Sequence, residues 1–354
     1  MQENRYVSDL SMLLRMMKDE LARNGVSFPD KLSREQLGTI AADHLKMFHS
    51  QLGAGYWREY FESRNMSDPA AIEATMTEGI ANTTLVLLSE ILALFQGAVV
   101  HVEDAELVEA LLRTELDANV GDVRVPFPIV ELAYPSGIAA TESYQVSGTI
   151  IIDLRQVNLV KEFKFLSPQG RSDPENKADI AVITKFKNAD GTLGFSSHVT
   201  RVKASDPLSI GSVAPDINLS EEEGMKIHTR LAMAVLMYLQ SVEQKKALQP
   251  MTGRSDCQGL IAPLARIEKK RQSYRVIDIA AKATHRVSVP GGGHHASPDA
   301  HWRKGHMRAL RDERFKRDKN DMIRIIWIRP TKINADKDGD VTAERKLNVA
   351  ERTV

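Results

Sequence analysis

The residues best suited to chemistry are His301 and His306. They stand on either side of Gly305 in the stretch His301-Trp302-Arg303-Lys304-Gly305-His306-Met307-Arg308. Two imidazoles beside one phosphodiester can act as general base and general acid, because both protonation states are populated near neutral pH. Arg303, Lys304 and Arg308 would bind the phosphate and stabilise charge on the pentavalent centre. Together these make a candidate for metal-independent RNA cleavage. The same residues also suit RNA binding without cleavage, or a compact turn whose histidines make structural hydrogen bonds. A His pair by itself does not choose among the three, so catalysis stays open.

The surrounding segment strengthens the case for an anionic partner. Arg303 to Lys319 carries eight Lys and Arg against three Asp and Glu. Trp302 is positioned to stack on a base, with Arg303, Lys304, Arg308 and Arg311 on the backbone. The plainer alternative is an exposed charged helix over 309–321 with ordinary intrahelical pairs. His294, His295, Asp299, His301 and His306 have ligand chemistry, but their spacing matches no metal motif, and the neighbouring cations repel a dication. No metal and no cofactor is therefore expected. Gly291-Gly292-Gly293 lacks the Gly-Lys-Ser/Thr of a phosphate loop and reads as a hinge.

The core His301–Arg308, followed by Trp327, Arg329 and Pro330 in IIWIRPTKIN, resembles a motif of phage- and plasmid-borne proteins. That motif runs His-x-Arg-Arg-Gly-His-Trp-Arg and then Trp-x-Arg/Gln-Pro. Lys304 stands here for an Arg, and Met307 for a Trp. The group is similar to the type V-A anti-CRISPR family, which blocks production of a Cas nuclease. The resemblance implies recognition of a nascent peptide, coupled to loss of the encoding mRNA. It implies supporting roles for Gly305, Trp327, Arg329 and Pro330. It does not extend to the first 120 residues.

The elements that must position this motif follow from periodicity. Leu10, Leu13, Leu14, Met17 and Leu21 line one helix face, which Asn24-Gly25 terminates. Further helices are expected from Ser33, from Ser67-Asp68-Pro69 through the apolar run to Phe95, and over 102–119. Ser89, Glu90 and Gln96 interrupt Thr83–Val100, so that stretch reads as a buried helix, not a membrane span. The period then changes to two. Strands are expected over 123–134 (an edge or entry strand, given Pro126 and Pro128), 143–154, 158–166, 179–187 and 193–202, with a hairpin turn at 188–191. These make a mostly antiparallel sheet of four or five strands. Ser220 caps a helix to about Ala247 that is apolar nearly all round, with His228 and Tyr238 read as core or boundary residues. A basic linker with a short helix, a strand at 274–279 and a last strand at 322–329 follow.

The expected architecture is α+β. Residues 1–120 form a helical domain and 121–248 an antiparallel sheet packed on a long helix. Residues 249–334 form a basic module carrying the His/Arg motif, and 335–354 a flexible tail. The single Cys257 excludes an internal disulfide framework and fits a reducing cytoplasm, and the charged start is not a signal peptide. The formal net charge is zero, yet residues 1–120 carry 10 Lys and Arg against 19 Asp and Glu, while 251–329 carry 18 against 8. Either an anionic partner meets the basic end, or the acidic half simply docks on the basic half. Three functions remain open. The first is an anti-CRISPR-like regulator that contacts RNA or a ribosome-associated nascent chain and a host protein. The second is a ribonuclease using His301 and His306, and the third a non-catalytic phage interaction protein.

Overall fold

The computed structural model describes residues 9–49, 61–62, 65, 67–134, 144–157, 179–188, 197–208, 221–242, 247–251, 262–278, 301–303, 305–315, 317 and 323–333. The segment expected as a strand at 158–166, the glycines at 291–293, His294, His295 and the tail after 334 lie outside these residues. So do Asp299 and Lys304.

Three helices lead the chain: α1 (Asp9–Arg23), α2 (Arg34–His49) and α3 (Pro69–Gln96). Gly25 follows α1 at φ 72, a left-handed backbone that a residue with a Cβ resists, so the helix stops where expected. A reciprocal cap starts α2: the Ser33 N–H donates to Gln36 Oε1 at 2.8 Å, and the Gln36 N–H donates to Ser33 Oγ at 3.2 Å. Pro69 opens α3 behind Asp68, whose carboxylate accepts from the Ala70 N–H.

A short strand β1 (Ala98–His101) follows, then α4 (Ala105–Leu112) and a second strand β2 (Thr114–Asp117). These elements differ from those the periodicity predicts. The apolar helix does not reach Val100, and the helix expected over 102–119 is confined to eight residues. Asp104 caps α4 by accepting from Glu106 and Leu107 N–H, and Thr114 onward is drawn into parallel pairing with a distant strand.

The strands β3 (Ile129–Ala133), β4 (Tyr144–Asp153), β5 (Ile180–Asn188) and β6 (Ser197–Val202) form the antiparallel run that alternation predicted. The helix α5 (Glu221–Ser241), β7 (Leu248–Pro250), α6 (Ala262–Glu268) and β8 (Gln272–Val276) come next. The sheet is larger than expected and mixed, with seven strands in the order β6-β5-β4-β3-β1-β8-β7. β1 pairs parallel with both β3 and β8. β3 is therefore interior and not an edge strand. It begins one residue after Pro128, so neither proline costs it a ladder hydrogen bond.

The sheet separates two cores, and successive residues serve opposite ones. Ile150, Ile152, Ala181 and Ile183 face the N-terminal helices, whereas Ile151, Ile180 and Val182 face α5. On the first side, a fully buried ion pair joins Glu90 of α3 to Lys185 of β5. Glu90 Oε2 also accepts the Leu10 N–H at 2.7 Å, fastening the start of α1.

A smaller layer lies beyond α5. β9 (His301–Arg303), β10 (Gly305–Leu310), β11 (Arg324–Ile328) and β12 (Thr331–Ile333) form two paired sets, β11-β10-β2 and β12-β9. Residues 305–310 are thus a strand and 312–315 turn and bend, so among the described residues the alternative charged helix over 309–321 does not form. Residues Leu231 to Leu239 of α5 are at most 1% exposed because the helix lies between the large sheet and this layer. That explains why it is apolar on every side. Tyr238 is core, as read from the sequence.

Candidate functional site

The motif folds as an antiparallel ribbon in two segments. β10 pairs with β11 from His306↔Ile328 to Leu310↔Arg324, and β9 pairs with β12 from Arg303↔Thr331 to His301↔Ile333. One register runs through both segments, and the ladder is interrupted next to Gly305 and Pro330. A Cβ on Gly305 would lie 2.5 Å from Pro330 Cδ and 2.7 Å from Thr114 Oγ1. No side chain fits there, so the glycine and the proline of the motif are one steric unit.

The inward face of the ribbon is a set of fasteners around Thr114. This residue is fully buried; its hydroxyl donates to Ala110 O at 2.7 Å and accepts from Trp327 Nε1 at 3.1 Å. The Trp327 ring meets Tyr238 edge-on with centroids 5.0 Å apart, and Tyr238 in turn donates to Ile277 O at 2.9 Å. Arg329 pairs with the buried Asp278 and lies 5.9 Å from the Trp327 ring centroid. Met307, Ala309 and Ile325 complete the buried side. Gly305, Trp327, Arg329 and Pro330 thus all make contacts on the inward side of the ribbon.

The outward face carries the polar motif residues. Parallel pairing of β10 with β2 sets His306 beside Glu115 and Arg308 beside Asp117. His306 Nδ1 is 3.5 Å from Glu115 Oε2, Arg308 Nε is 3.9 Å from Asp117 Oδ2, and Arg311 donates to Asp122 Oδ2 at 2.7 Å. All three basic side chains are about half exposed or more. The charge asymmetry of the sequence is thus partly internal, since an acidic run at 115–122 faces the basic strand. Ile328 is exposed beside His306, and the half-buried Ile326 lies beside Arg308. The backbone of His301, Trp302 and Arg303 is in β9, but their side chains fall outside the described set. Among the described residues, no three His, Cys, Asp or Glu side chains converge as a metal would require.

One residue that the sequence reading passed over is Arg230. It is 1% exposed in the middle of α5 and donates through Nη2 to the Thr114 carbonyl. Nε and Nη1 have no hydrogen-bond partner among the described residues. Burial pulls its pKa down, and the Glu115 carboxylate opposes that. A cation thus lies beneath the carboxylate that faces His306. Its signal in the sequence was an arginine directly before the apolar run Leu231–Leu239. Thr114, Glu115, Asp117 and Asp122 were equally unmarked, because they lie 189 to 213 residues before their partners on the ribbon.

A family model described as AcrVA2-like, the anti-CRISPR type V subtype A2 family, matches residues 103–335. The chain belongs to the AcrVA2-like family. The matched span runs from just before α4 to just after β12. It therefore takes in the ribbon, the β2 strand that supplies its acids, and α5 beneath. In this AcrVA2-like chain the three N-terminal helices fall outside the match. A search of curated proteins returns no match. Among the described residues, no helix is long and apolar enough to cross a membrane.

Proposed function

We propose that the chain is a phage- or plasmid-encoded regulator of the anti-CRISPR type. In this reading it suppresses production of a host-encoded target in the cytoplasm, recognising it as a protein or nascent peptide and contacting RNA. The observation that carries the reading is the AcrVA2-like match over residues 103–335, which covers the whole motif layer. The outward face favours a polypeptide as the main contact. Ile326 and Ile328 set apolar surface between the basic side chains. His306, Arg308 and Arg311 each already face a carboxylate, which weakens attraction for a bare phosphate backbone. RNA contact then rests mainly on Trp302, Arg303 and Lys304. The test is co-expression with a type V-A nuclease in bacteria. Nuclease protein and its transcript should both fall, and unchanged amounts of the two would overturn the reading.

A second reading, ribonuclease activity, is favoured by one observation. The exposed His306 stands against Glu115, an imidazole–carboxylate pair of the kind that orients a general base. Incubating purified chain with labelled RNA and a chelator decides it. Cleavage that disappears in both His301→Ala and His306→Ala supports the reading, and intact RNA with the wild type removes it.

A further inference from the structure

A groove of about 630 Å³ lies away from the motif layer, on the face of the large sheet that packs against the N-terminal helices. One wall comes from the loop before α2 and the last turn of α3; the other comes from α6 and the start of β8. The Arg266 guanidinium ties the walls by donating to Asp30 O at 2.9 Å. Leu32, Leu94, Pro263 and Ile267 form an apolar floor, and Phe95 is 38% exposed at its edge.

The rim is basic in a way that the motif face is not. Lys31, Arg266 and Lys270 are exposed, and none has a carboxylate within ion-pair distance among the described residues. Arg271, deeper in, is committed to Glu131 at 2.7 Å and Glu268 at 3.0 Å. Three cations that form no ion pair, against the single exposed Asp30 carboxylate in the lining, leave a net positive rim around an apolar floor and call for an acidic occupant with apolar side chains. The helix end decides between peptide and nucleic acid. α3 stops at Gln96; the Ala93 carbonyl accepts the Gly97 N–H at 3.0 Å, whereas those of Leu94 and Phe95 take no backbone donor among the described residues. A peptide backbone has N–H donors for them, whereas a phosphodiester backbone has none.

We propose that this groove is a docking site for an acidic peptide segment of a partner protein, with Leu- or Phe-type residues between its carboxylates. The proposal stands on the groove and not on the role of the motif face. One wall, residues 30–32 and 94–97, lies outside the family match, and the other, residues 263–272, lies within it.

The test is fluorescence anisotropy of the full chain with a short labelled peptide alternating Glu with Leu and Phe. Its Lys-for-Glu counterpart and labelled single-stranded RNA are run alongside. The acidic peptide alone should bind, and added salt should weaken it. Charge reversal by Lys31→Glu with Lys270→Glu should weaken it about tenfold or more. Phe95→Ser should weaken it at unchanged salt dependence, while Arg308→Glu on the motif face should leave it unchanged. All these positions are solvent-exposed, and circular dichroism checks that each variant is folded. Equal binding of the Lys peptide, preferred binding of RNA, or indifference to the Lys31 and Lys270 reversals would each overturn the proposal. Running the nuclease co-expression assay on the same variants lets this proposal and the anti-CRISPR reading fail separately.

Discussion

The two faces of β10 make the most instructive contrast in the molecule. Met307 and Ala309 are buried with Trp327 behind them, while His306 and Arg308, one residue away, stand in solvent beside carboxylates. The motif is therefore two sets of residues interleaved at period two. Gly305, Trp327, Arg329 and Pro330 fasten the ribbon against Thr114, Tyr238 and Asp278, and His306, Arg308 and Arg311 are what it presents. A motif letter that looks functional in the sequence can also have a packing role.

This contrast breaks if the inward residues prove dispensable for stability. Trp327→Ala removes the ring against Tyr238 and leaves the Thr114 hydroxyl without its donor, so it should cost about 3 kcal/mol in urea unfolding. Gly305→Ala must displace Pro330 or Thr114, and should cost about 1–3 kcal/mol with a fall of several degrees in Tm. Thr114→Val keeps the shape but leaves the Trp327 N–H unpaired, for a loss of about 1–2 kcal/mol. Removal of the outward Arg308 should change stability by less than about 0.5 kcal/mol, because its exposed pair with Asp117 is loose and screened. An Arg308→Ala variant as unstable as Trp327→Ala would erase the distinction between faces.

The smallest effect sharpens the baseline for these measurements. Burial holds the His44 pKa below its ordinary value, so the unfolded chain binds the proton more readily than the folded one. Stability should decline as pH falls through the ordinary His range toward the lower folded value, and His44→Gln should flatten that limb. An unchanged acid limb in the variant would assign it to other groups.

Some of this was legible in the linear chain. Leu10, Leu13 and Leu14 announced α1, Asn24-Gly25 its end, and alternating Val, Ile and Thr announced β4 and β5. The motif letters also announced that residues 301–330 form one unit. β1 and β2 were not legible. Each is four residues long, sits against a helix without a strong turn signal, and gains its hydrogen bonds from strands far along the chain. Missing β2 also hid Thr114, Glu115 and Asp117, hence both the anchor of the ribbon and the acids beside its cations.

By itself, the sequence determined what depends on near neighbours: helix faces, caps, strand alternation, the excess of positive charge near the C-terminus and the motif that carries the family likeness. Only the tertiary structure decided which charges stand free. Parallel pairing of β2 with β10 sets acids beside the basic motif, whereas packing of α3 against α6 leaves Lys31 and Lys270 without them. The physical reason is range. Backbone periodicity is written within a few residues, but electrostatic compensation depends on distances of a few ångströms between groups any number of residues apart.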